Sequence, residues 1–344
     1  MNCSLACRVF IFLVLSLVIF SRSYSQCCAG GSGCTIAGSA AQGVLQERQI
    51  ELSSNFQFIH TNTFYKKDRR ASTAERTFDG FRSSYQYFKV GYGITHRLTL
   101  SLETGYYFGK KETGLADNPL TTYSDHGFGD FLIFPKYNVL SHESEHHRDD
   151  ITIGLGYKIP LGSYQDSTGY IEPFSGHVFY VVNPTSIQLS SGAQDIVFNA
   201  LWSRHYLKPQ LSIFINAFYI RKGYNPNGEK LGDYSSVALF FTKTLFSTVG
   251  IGLQARYEEV ERMKINESVL LFGRPSNYYP EATGYRKVFL TPQITYTTGP
   301  ISIFGSYDIP VYQYLNTSPY YTQAGSEFQA TAGISYRFAI SSKS

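Results

Sequence analysis

The sequence is poor in charge and, beyond its first 25 residues, poor in long apolar runs. Charged residues make up 16% of the 344 residues, whereas typical soluble domains contain roughly 25%. After Gln26, no apolar run approaches the length of about 18 residues that predicts a membrane-spanning helix. The net charge of +4 is small and scattered, which argues against a nucleic-acid partner. These absences disfavour a helical membrane protein, an ordinary soluble enzyme and a nucleic-acid-binding protein.

The first 25 residues are predicted to be a secretory signal peptide. Arg8 precedes an apolar run over residues 9–20, and Ser23 and Ser25 supply the small residues that cleavage before Gln26 requires. The run is too short for a spanning helix, which needs about 20 residues. Because Gln26 rather than a small residue stands before Cys27, lipidation of that cysteine is disfavoured.

Aromatic residues and alternating patterns are abundant in the rest of the chain. The sequence has 28 Tyr, 26 Phe and 30 Gly against a single Trp. Apolar and polar residues alternate in one segment after another; in LTLSLE (98–103), for example, every second residue is leucine. Such alternation predicts β-strands that have one apolar face. Twelve strands are predicted, over residues 48–63, 81–95, 97–109, 126–140, 149–161, 193–205, 208–221, 233–246, 248–261, 284–298, 299–311 and 326–339.

Long and short connections alternate between these strands. Among the short connections, only the one at residues 141–148 is longer than a tight turn. This alternation is typical of an outer-membrane barrel with long extracellular loops and short periplasmic turns. In lipid every backbone N–H and C=O must be paired within the protein, so the sheet has to close on itself. A soluble sandwich, the alternative, would have shorter strands of about 5 or 6 residues and a more highly charged surface.

We therefore predict an all-β protein that forms a closed, antiparallel transmembrane barrel over residues 48–344. A Gly- and Cys-rich periplasmic leader is predicted over residues 26–47. The expected location is the outer membrane of a Gram-negative bacterium, with outer-membrane lipid as a partner. An even number of strands places both chain termini in the periplasm.

The last predicted strand supports this location independently. Thr331, Gly333, Tyr336 and Phe338 form a polar-x-Gly-x-x-aromatic-x-aromatic pattern. The pattern resembles the recognition signal of the outer-membrane barrel-insertion machinery, which is therefore an expected partner. Six residues, AISSKS, follow the final aromatic residue, and this is a departure from the usual signal.

Charged residues within apolar strands are expected to face the lumen. In GFGDFLIFPKYNV (127–139), Asp130 and Lys136 share one face, whereas Phe131 and Ile133 lie on the other. A basic side chain that faced lipid at mid-depth would cost roughly 2–4 kcal/mol. We expect ion pairs among Asp130, Lys158 and Asp195 near the extracellular end, which either neutralise buried charge or contact a solute. The predicted lumen charge cluster consists of Asp130, Lys158, Asp195, Lys136, Glu103 and Arg256.

Cysteine is confined to the start of the chain, where an odd number remains after signal cleavage. An odd number leaves at least one thiol unpaired or intermolecular, and three thiols can bind a soft ion such as Cu(I). The predicted turn LSHESEHHRDD (140–150) would lie on the same periplasmic side. One hypothesis is therefore a metal site; the alternative is a flexible leader with incidental cysteines and a solvated turn. The candidate ligands are Cys27, Cys28, Cys34, His142, His146 and His147. No other cofactor is expected.

Three segments carry a recognisable set of motifs: GFGDFLIFPKYNV (127–139), GLGYKIPLGSY (154–164) and IQLSSGAQDIVFNALWS (187–203). In order, they contain a Gly-x-Gly-Asp strand, a Lys-x-Pro-x-Gly strand end, and a Gln/Gly/Ser-rich turn before an Asp-hydrophobic strand. Together they resemble the outer-membrane transporter-like proteins of the "MetA-pathway of phenol degradation" family. The resemblance covers about residues 85–339 and implies a small barrel that passes small, often aromatic, molecules. The CCAGGSGC leader lies outside it.

Motifs of catalysis and nucleotide binding are missing. The sequence has no Gly-x-Ser-x-Gly elbow, no P-loop and no His-x-Ser-Asn arrangement like that of outer-membrane phospholipases. The protein is therefore predicted not to be an enzyme. The predicted function is a passive channel or transporter for small solutes, aromatic or hydrophobic ones included. The alternative is a periplasm-facing metal-binding protein or structural anchor with a plugged lumen.

Overall fold

A computed structural model of the protein describes residues 43–72, 79–114, 122–172, 174–208, 210–271, 280–317 and 322–340. Twelve long antiparallel strands form one sheet, in which each strand pairs with its neighbours in sequence and the last pairs with the first. The predicted fold, a closed antiparallel barrel of about twelve strands, is confirmed. The strands are β1 (Gln49–Thr61), β2 (Gly80–Gly93), β3 (Leu98–Thr113), β4 in two segments (Thr122–Phe128 and Phe131–Glu143), β5 (His147–Ile159), β6 (Asp195–Tyr206), β7 (Leu211–Arg221), β8 (Tyr234–Leu245), β9 (Val249–Val260), β10 (Tyr285–Thr298), β11 (Ile301–Leu315) and β12 (Phe328–Ala339).

Two ends of the barrel can be distinguished by their connections. The turn end carries the short connections 94–97, 144–146, 207–210, 246–248 and 299–300, together with the start of β1 and the end of β12. The loop end carries the long connections, which add a hairpin (Ser167–Ile171 and Val178–Val182) and shorter paired segments. No described helix has both the length and the apolar character to cross a membrane.

Alternation along the strands gives the barrel an apolar outer surface. In β5, the outward residues Ile151, Ile153, Leu155 and Tyr157 are exposed, whereas the intervening residues from Asp150 to Lys158 are buried. Aliphatic and aromatic side chains project from the outside of the other strands in the same way. Only lipid makes such a surface favourable on a closed sheet, so the strands span a membrane.

The interior contains more apolar side chains than the sequence predicted. Polar and charged residues do face inward, but so do Phe134, Val197, Phe214 and Phe218, which form buried clusters. The more apolar face of these strands does point outward, as predicted for Phe131 and Ile133, but the inward face of β4, β6 and β7 is partly apolar as well. A small barrel leaves a lumen that side chains can fill, and apolar groups pack there without needing hydrogen-bond partners.

The prediction of an extended turn over residues 141–148 is wrong. β4 continues to Glu143 and β5 begins at His147, so the turn is only residues 144–146. Glu143 lies opposite Arg148, and His142 lies opposite Asp149. Oppositely charged residues that face each other across two strands stabilise the pairing, so this dense charge extends a hairpin rather than forming a loop.

The segment before β1, predicted as part of the leader, folds into the turn-end mouth of the barrel. Leu45 is buried, and its backbone N–H donates to Thr99 Oγ1 at 2.7 Å. Glycines on β2 leave room for this segment, since a Cβ at Gly93 would lie 1.9 Å from the Gln46 carbonyl oxygen. Residues 43–47 therefore cover part of this mouth. The remainder of the leader, and the signal peptide, lie outside the described residues.

The long connection between β5 and β6 enters the opposite mouth. Ile187 is completely buried and packs with Ile59, Phe81 and Tyr123 at the loop ends of β1, β2 and β4. The Lys110 ammonium donates to the Gln188 carbonyl oxygen at 2.6 Å and fixes the connection to β3. Chain segments thus cover parts of both mouths of the lumen.

Candidate functional site in the barrel lumen

An ion-paired network lies in the lumen near the loop end, centred on Lys158 of β5. Its ammonium pairs with Asp130, lies 3.0 Å from Asp195 Oδ2, and donates to Ser191 Oγ at 3.2 Å. Asp195 lies directly opposite Lys158 because β5 and β6 pair in that register. The Lys222 ammonium, from the connection after β7, lies 3.1 Å from the same Asp195 oxygen. The negative charges of two carboxylates and the positive charges of two ammonium groups therefore cancel within this network.

Asp130 occupies an interruption in the barrel wall. Pairing between β3 and β4 stops at Glu103–Leu132 and resumes at Tyr106–Phe128. Between these points, the Gly129 N–H donates to the Gly105 carbonyl at 2.8 Å. The upper segment of β4 pairs with β3 but not with β5. The prediction of one continuous strand over 126–140 is therefore wrong at residues 129–130.

Glycine is required beside this interruption. Gly127 has a φ of +144°, a conformation that residues with a side chain rarely adopt. A Cβ at Gly127 would also lie 2.9 Å from Leu189 Cδ1. The backbone conformation of β4 at this point and the close approach of Leu189 thus depend on Gly127, the first glycine of the Gly-x-Gly-Asp motif.

A small cavity adjoins the interruption. Its walls combine tyrosine and leucine side chains with the charged groups of Glu103, Asp130 and Lys158, and the Tyr85 and Tyr107 rings lie 4.4 Å apart. Its free volume is ≈ 30 Å³, enough for one or two waters. Asp130 Oδ1 is buried at this cavity and has no hydrogen-bond partner among the described residues. The lining consists of Tyr85, Tyr87, Glu103, Thr104, Tyr107, Gly129, Asp130, Leu132, Lys158 and Leu189.

The cavity reaches into the wall rather than lying wholly in the lumen. Thr104 alternates with the inward residues Glu103 and Gly105, so it belongs to the outer face of β3. Its hydroxyl donates to the Asp130 carbonyl oxygen at 3.2 Å, across the gap in strand pairing. This site therefore combines a gap in strand pairing, tyrosine and leucine side chains, and a carboxylate oxygen that has no hydrogen-bond partner among the described residues.

A second ionic network lies on a different wall, formed by β9, β10 and β11. Arg256 Nη2 lies 2.9 Å from Asp308 Oδ2, and Arg256 Nε lies 3.5 Å from Glu258 Oε2. The guanidinium stacks 4.8 Å from the centre of the Phe289 ring, and Thr291 also donates to Asp308. Arg256, Glu258 and Asp308 are buried, so this network neutralises charge on the lumen side of the wall.

A third network joins β1, β2 and β12. Lys89 Nζ lies 3.1 Å from one carboxylate oxygen of Glu51, and Arg337 Nη2 lies 3.2 Å from the other. Glu103 accepts a hydrogen bond from Ser101 at 2.9 Å. The Lys136 ammonium lies 5.2 Å from the centre of the Phe134 ring. The six predicted lumen charges therefore do not form one cluster; only Asp130, Lys158 and Asp195 share a network.

Several residues of these networks escaped the sequence analysis. Lys222 lies in a loop, where alternation gives no direction for its side chain. Glu51 and Lys89 lie on the inward faces of their strands. The alternation of apolar and polar residues around them could therefore have identified them as inward. Tyr85 and Tyr107 also lie at inward positions in this alternation. Because tyrosine also fits a lipid-facing position, the alternation alone could not assign them to a cavity.

The described histidines among the predicted metal ligands do not form a metal site by themselves. Cys27, Cys28 and Cys34 lie outside the described residues. His147 Nδ1 lies 3.1 Å from Ser144 Oγ, and its Nε2 lies 3.4 Å from Asp149. Within the described ranges, no group of three or more His, Cys, Asp or Glu side chains is arranged to hold a metal ion. A metal site that combines His142, His146 and His147 with Cys27, Cys28 and Cys34 stays a prediction.

The predicted insertion signal lies on β12 with its aromatic residues outward. Tyr336 and Phe338 face outward with ring centres 5.4 Å apart. Thr331 is buried, and Gly333 lies on the inner face, where a Cβ would lie 2.1 Å from Asn55 Oδ1. Two aromatic rings are thus available on the outer surface, while their recognition by the insertion machinery stays a prediction.

Comparisons with known proteins identify the fold and no family. No family model matches the chain, and no curated protein matches it. The fold is similar to that of an outer membrane channel from Pseudomonas putida F1, with a TM-score of 0.62 and 11% identity over 86% of this chain and 97% of that chain. KdgM porin and NanC porin align with TM-scores of 0.40, at 7% and 11% identity, over 84% and 83% of this chain and 99% and 98% of theirs. At such identities the likeness concerns the fold alone.

Proposed function

We propose that this protein is an outer-membrane channel for small solutes, aromatic and hydrophobic molecules included. The observation that carries the proposal is the interruption of β4 at Gly129–Asp130. It lies beside a cavity whose walls include Tyr85, Tyr107 and Leu189. A closed barrel normally pairs its entire wall, and a local gap next to tyrosine rings and leucine side chains suits the passage of an aromatic molecule. The resemblance of three sequence segments to transporter-like barrels agrees with this proposal.

The proposed location is the outer membrane of a Gram-negative bacterium, with the turn end in the periplasm. Short turns on the periplasmic side and long loops outside are usual for such barrels. Both chain termini then lie in the periplasm. The predicted signal peptide and the outward aromatic residues Tyr336 and Phe338 of β12 fit this location.

The covered mouths favour an apolar solute over a hydrophilic one. A straight, water-filled path would have to pass Leu45 at the turn end and Ile187 at the loop end, and both side chains are buried. Ionic networks occupy the lumen between these points. A solute that enters through the wall from lipid bypasses the loop-end cover. We therefore place the entrance at the gap beside Asp130.

The side chains around the gap have distinct proposed roles. Tyr85, Tyr107 and Leu189 contact the apolar body of the solute. Asp130 Oδ1, which has no hydrogen-bond donor among the described residues, accepts a hydrogen bond from a hydroxyl or amino group of the solute. Lys158 holds Asp130 in place through its ion pair. Because the free volume is only ≈ 30 Å³, Leu189 or Tyr85 must move when a solute enters.

A structural outer-membrane anchor is the second candidate function. The observation that favours it is the cover of both mouths by residues 43–47 and by the connection around Ile187. An anchor of this kind would pass neither ions nor hydrophobic molecules. The two candidates therefore differ in transport and not in fold.

Entry of a hydrophobic fluorophore into intact Gram-negative cells tests the proposal. N-phenylnaphthylamine, which an intact outer membrane excludes, should enter faster when the barrel is present. Leu189→Trp should return entry to background because the larger ring fills the cavity. Leu140→Trp is the matched control, since Leu140 is exposed on the outer face of β4 near the turn end. If the folded wild-type barrel neither raises fluorophore entry above background nor conducts ions in planar bilayers, the result would favour the structural anchor.

A further inference from the structure

A groove lies on the outer surface of the barrel at the loop end, separate from the lumen site. It runs across β1, β2, β3 and the upper segment of β4, and its volume is ≈ 350 Å³. Its floor is open at Gly109, where a Cβ would meet no atom within 4 Å. The groove is lined by Phe58, Arg82, Ser84, Phe108, Gly109, Lys110, Lys111, Ser124, Asp125 and His126.

Basic side chains form a row along the top of this groove. His60 lies opposite Arg82, Arg82 lies opposite Lys111, and Lys111 lies opposite Ser124 in the strand pairing. Like charges directly opposite each other destabilise neighbouring strands. In the part of the chain that the structure describes, neither Arg82 nor Lys111 forms an ion pair with a carboxylate. An anion between them would remove the repulsion.

The other charged groups at the groove are already engaged on its inner side. The Asp125 carboxylate accepts the His126 backbone N–H at 2.7 Å and lies 3.5 Å from the Ser163 hydroxyl. The Lys110 ammonium points inward to the Gln188 carbonyl. Arg82 and Lys111 are therefore the cations that an external ligand would meet.

Aromatic rings form a band directly below the basic row. Phe108 lies 6.3 Å from Phe56 and 5.4 Å from Tyr106, and Tyr106 lies 5.0 Å from Phe128, between ring centres. Phe108 and Phe128 are each 61% exposed. The bulge at Phe108–Gly109 in β3 interrupts the strand register here and separates the band from the cations above it. The surface thus changes from cationic to apolar along the barrel axis.

We propose that this groove binds a phosphorylated glycolipid of the outer leaflet. Its phosphate groups would lie between Arg82 and Lys111, and its acyl chains would cover the band formed by Phe56, Phe108 and Phe128. A guanidinium can donate two parallel hydrogen bonds to a phosphate, and a lysine adds a point charge. The inference goes beyond transport but rests on the proposed orientation, because only then does the loop end meet the outer leaflet.

The positive charge of the groove and the depth of its aromatic band favour this lipid over other ligands. A zwitterionic lipid would bring its own cation toward Arg82, and an anionic solute without acyl chains would leave the aromatic band uncovered. The cations lie at the loop ends of the strands, and the rings lie toward the middle of the barrel, which matches a headgroup above and chains below. The lipid would bind beside the upper segment of β4 that carries Phe128, so it would flank the wall interruption.

Binding of defined lipids to the purified, folded barrel tests the proposal, with native mass spectrometry as the readout. Diphosphorylated lipid A should bind at least about tenfold more tightly than its dephosphorylated form, since each charge-assisted hydrogen bond contributes roughly a factor of ten or more. Arg82→Gln with Lys111→Gln should remove this preference. Lys243→Gln is the matched control, because Lys243 is an exposed, outward lysine at the turn end.

A steric variant separates the shape of the groove from its charge. Gly109→Leu keeps both cations and has space for its side chain, so the barrel should fold and lose lipid A binding. Equal lipid A binding by wild type, Gly109→Leu and the double glutamine variant would overturn the proposal. So would equal binding of phosphatidylglycerol, or full displacement of lipid A by inorganic phosphate. Because the assay measures no transport, failure of the channel proposal would leave its result unchanged.

Discussion

The ammonium of Lys158 lies 3.0 Å from a carboxylate oxygen of Asp195, whose side chain is completely buried. The two residues face each other across β5 and β6, so the strand register itself sets their contact. Asp130 reaches the same ammonium from the interruption in β4. One lysine thus connects a regular part of the wall to its irregular part, and loss of that lysine should affect both.

Lys158→Met is expected to destabilise the barrel by about 3–5 kcal/mol, because removal of one partner leaves buried charge uncompensated. Asp195 would retain Lys222, whereas Asp130 would lose the only ion pair that it forms among the described residues. Reversible urea unfolding in lipid vesicles measures the change. Lys243→Met, at an exposed outward position, should shift the free energy of unfolding far less. Equal shifts in the two variants would contradict a structural role for the network.

The Arg256–Asp308 pair gives a second stability prediction. Arg256→Met should cost about 3–5 kcal/mol, since Asp308 would remain buried without its cation. Addition of Asp308→Asn to Arg256→Met should restore part of that loss, because both charges are then absent. A double-mutant cycle by urea unfolding measures the coupling between them. Strictly additive effects would show that the two side chains act independently.

The strands of this fold were predictable because the alternation that encodes them is local. Each spanning strand meets lipid on one face and the lumen on the other, so its pattern can be read without knowledge of its neighbours. The inward positions of Asp130, Lys158 and Asp195 follow from the same parity. The register between β5 and β6 then brings Lys158 opposite Asp195.

The features that the sequence analysis missed depend on distant parts of the chain. The gap at Gly129–Asp130 exists because pairing of β3 with β4 changes register there, and nothing in the strand alone reveals it. The position of Leu45 depends on the space beside Gly91 and Gly93 of β2. Lys222 reaches Asp195 from a loop. Contacts of this kind need the closed barrel and therefore appear only in three dimensions.

Gly93→Ala should displace the segment that covers the turn-end mouth. The added Cβ would lie 1.9 Å from the Gln46 carbonyl oxygen, a backbone atom that can avoid it only if the segment moves. If the barrel conducts, ion conductance in planar bilayers should rise in this variant and rise further when residues 43–46 are deleted. Gly305→Ala is the control, because a Cβ at Gly305 meets no atom within 4 Å. Unchanged conductance after the deletion would show that this segment does not limit the passage of ions.

Phe338→Ala and Tyr336→Ala should slow insertion of the barrel into membranes by the insertion machinery. The two rings lie side by side on the outer face of the last strand, where a receptor can contact them before the sheet closes on β1. Insertion can be followed as the gain of the heat-resistant, folded form in vesicles that contain the purified machinery. Tyr296→Ala is the matched control, since Tyr296 is also an exposed, outward tyrosine but lies on β10. Equal insertion rates for all three variants would contradict a recognition signal. So would two β12 variants that are equally slow without the machinery, since the aromatic pair would then act through membrane partitioning or stability.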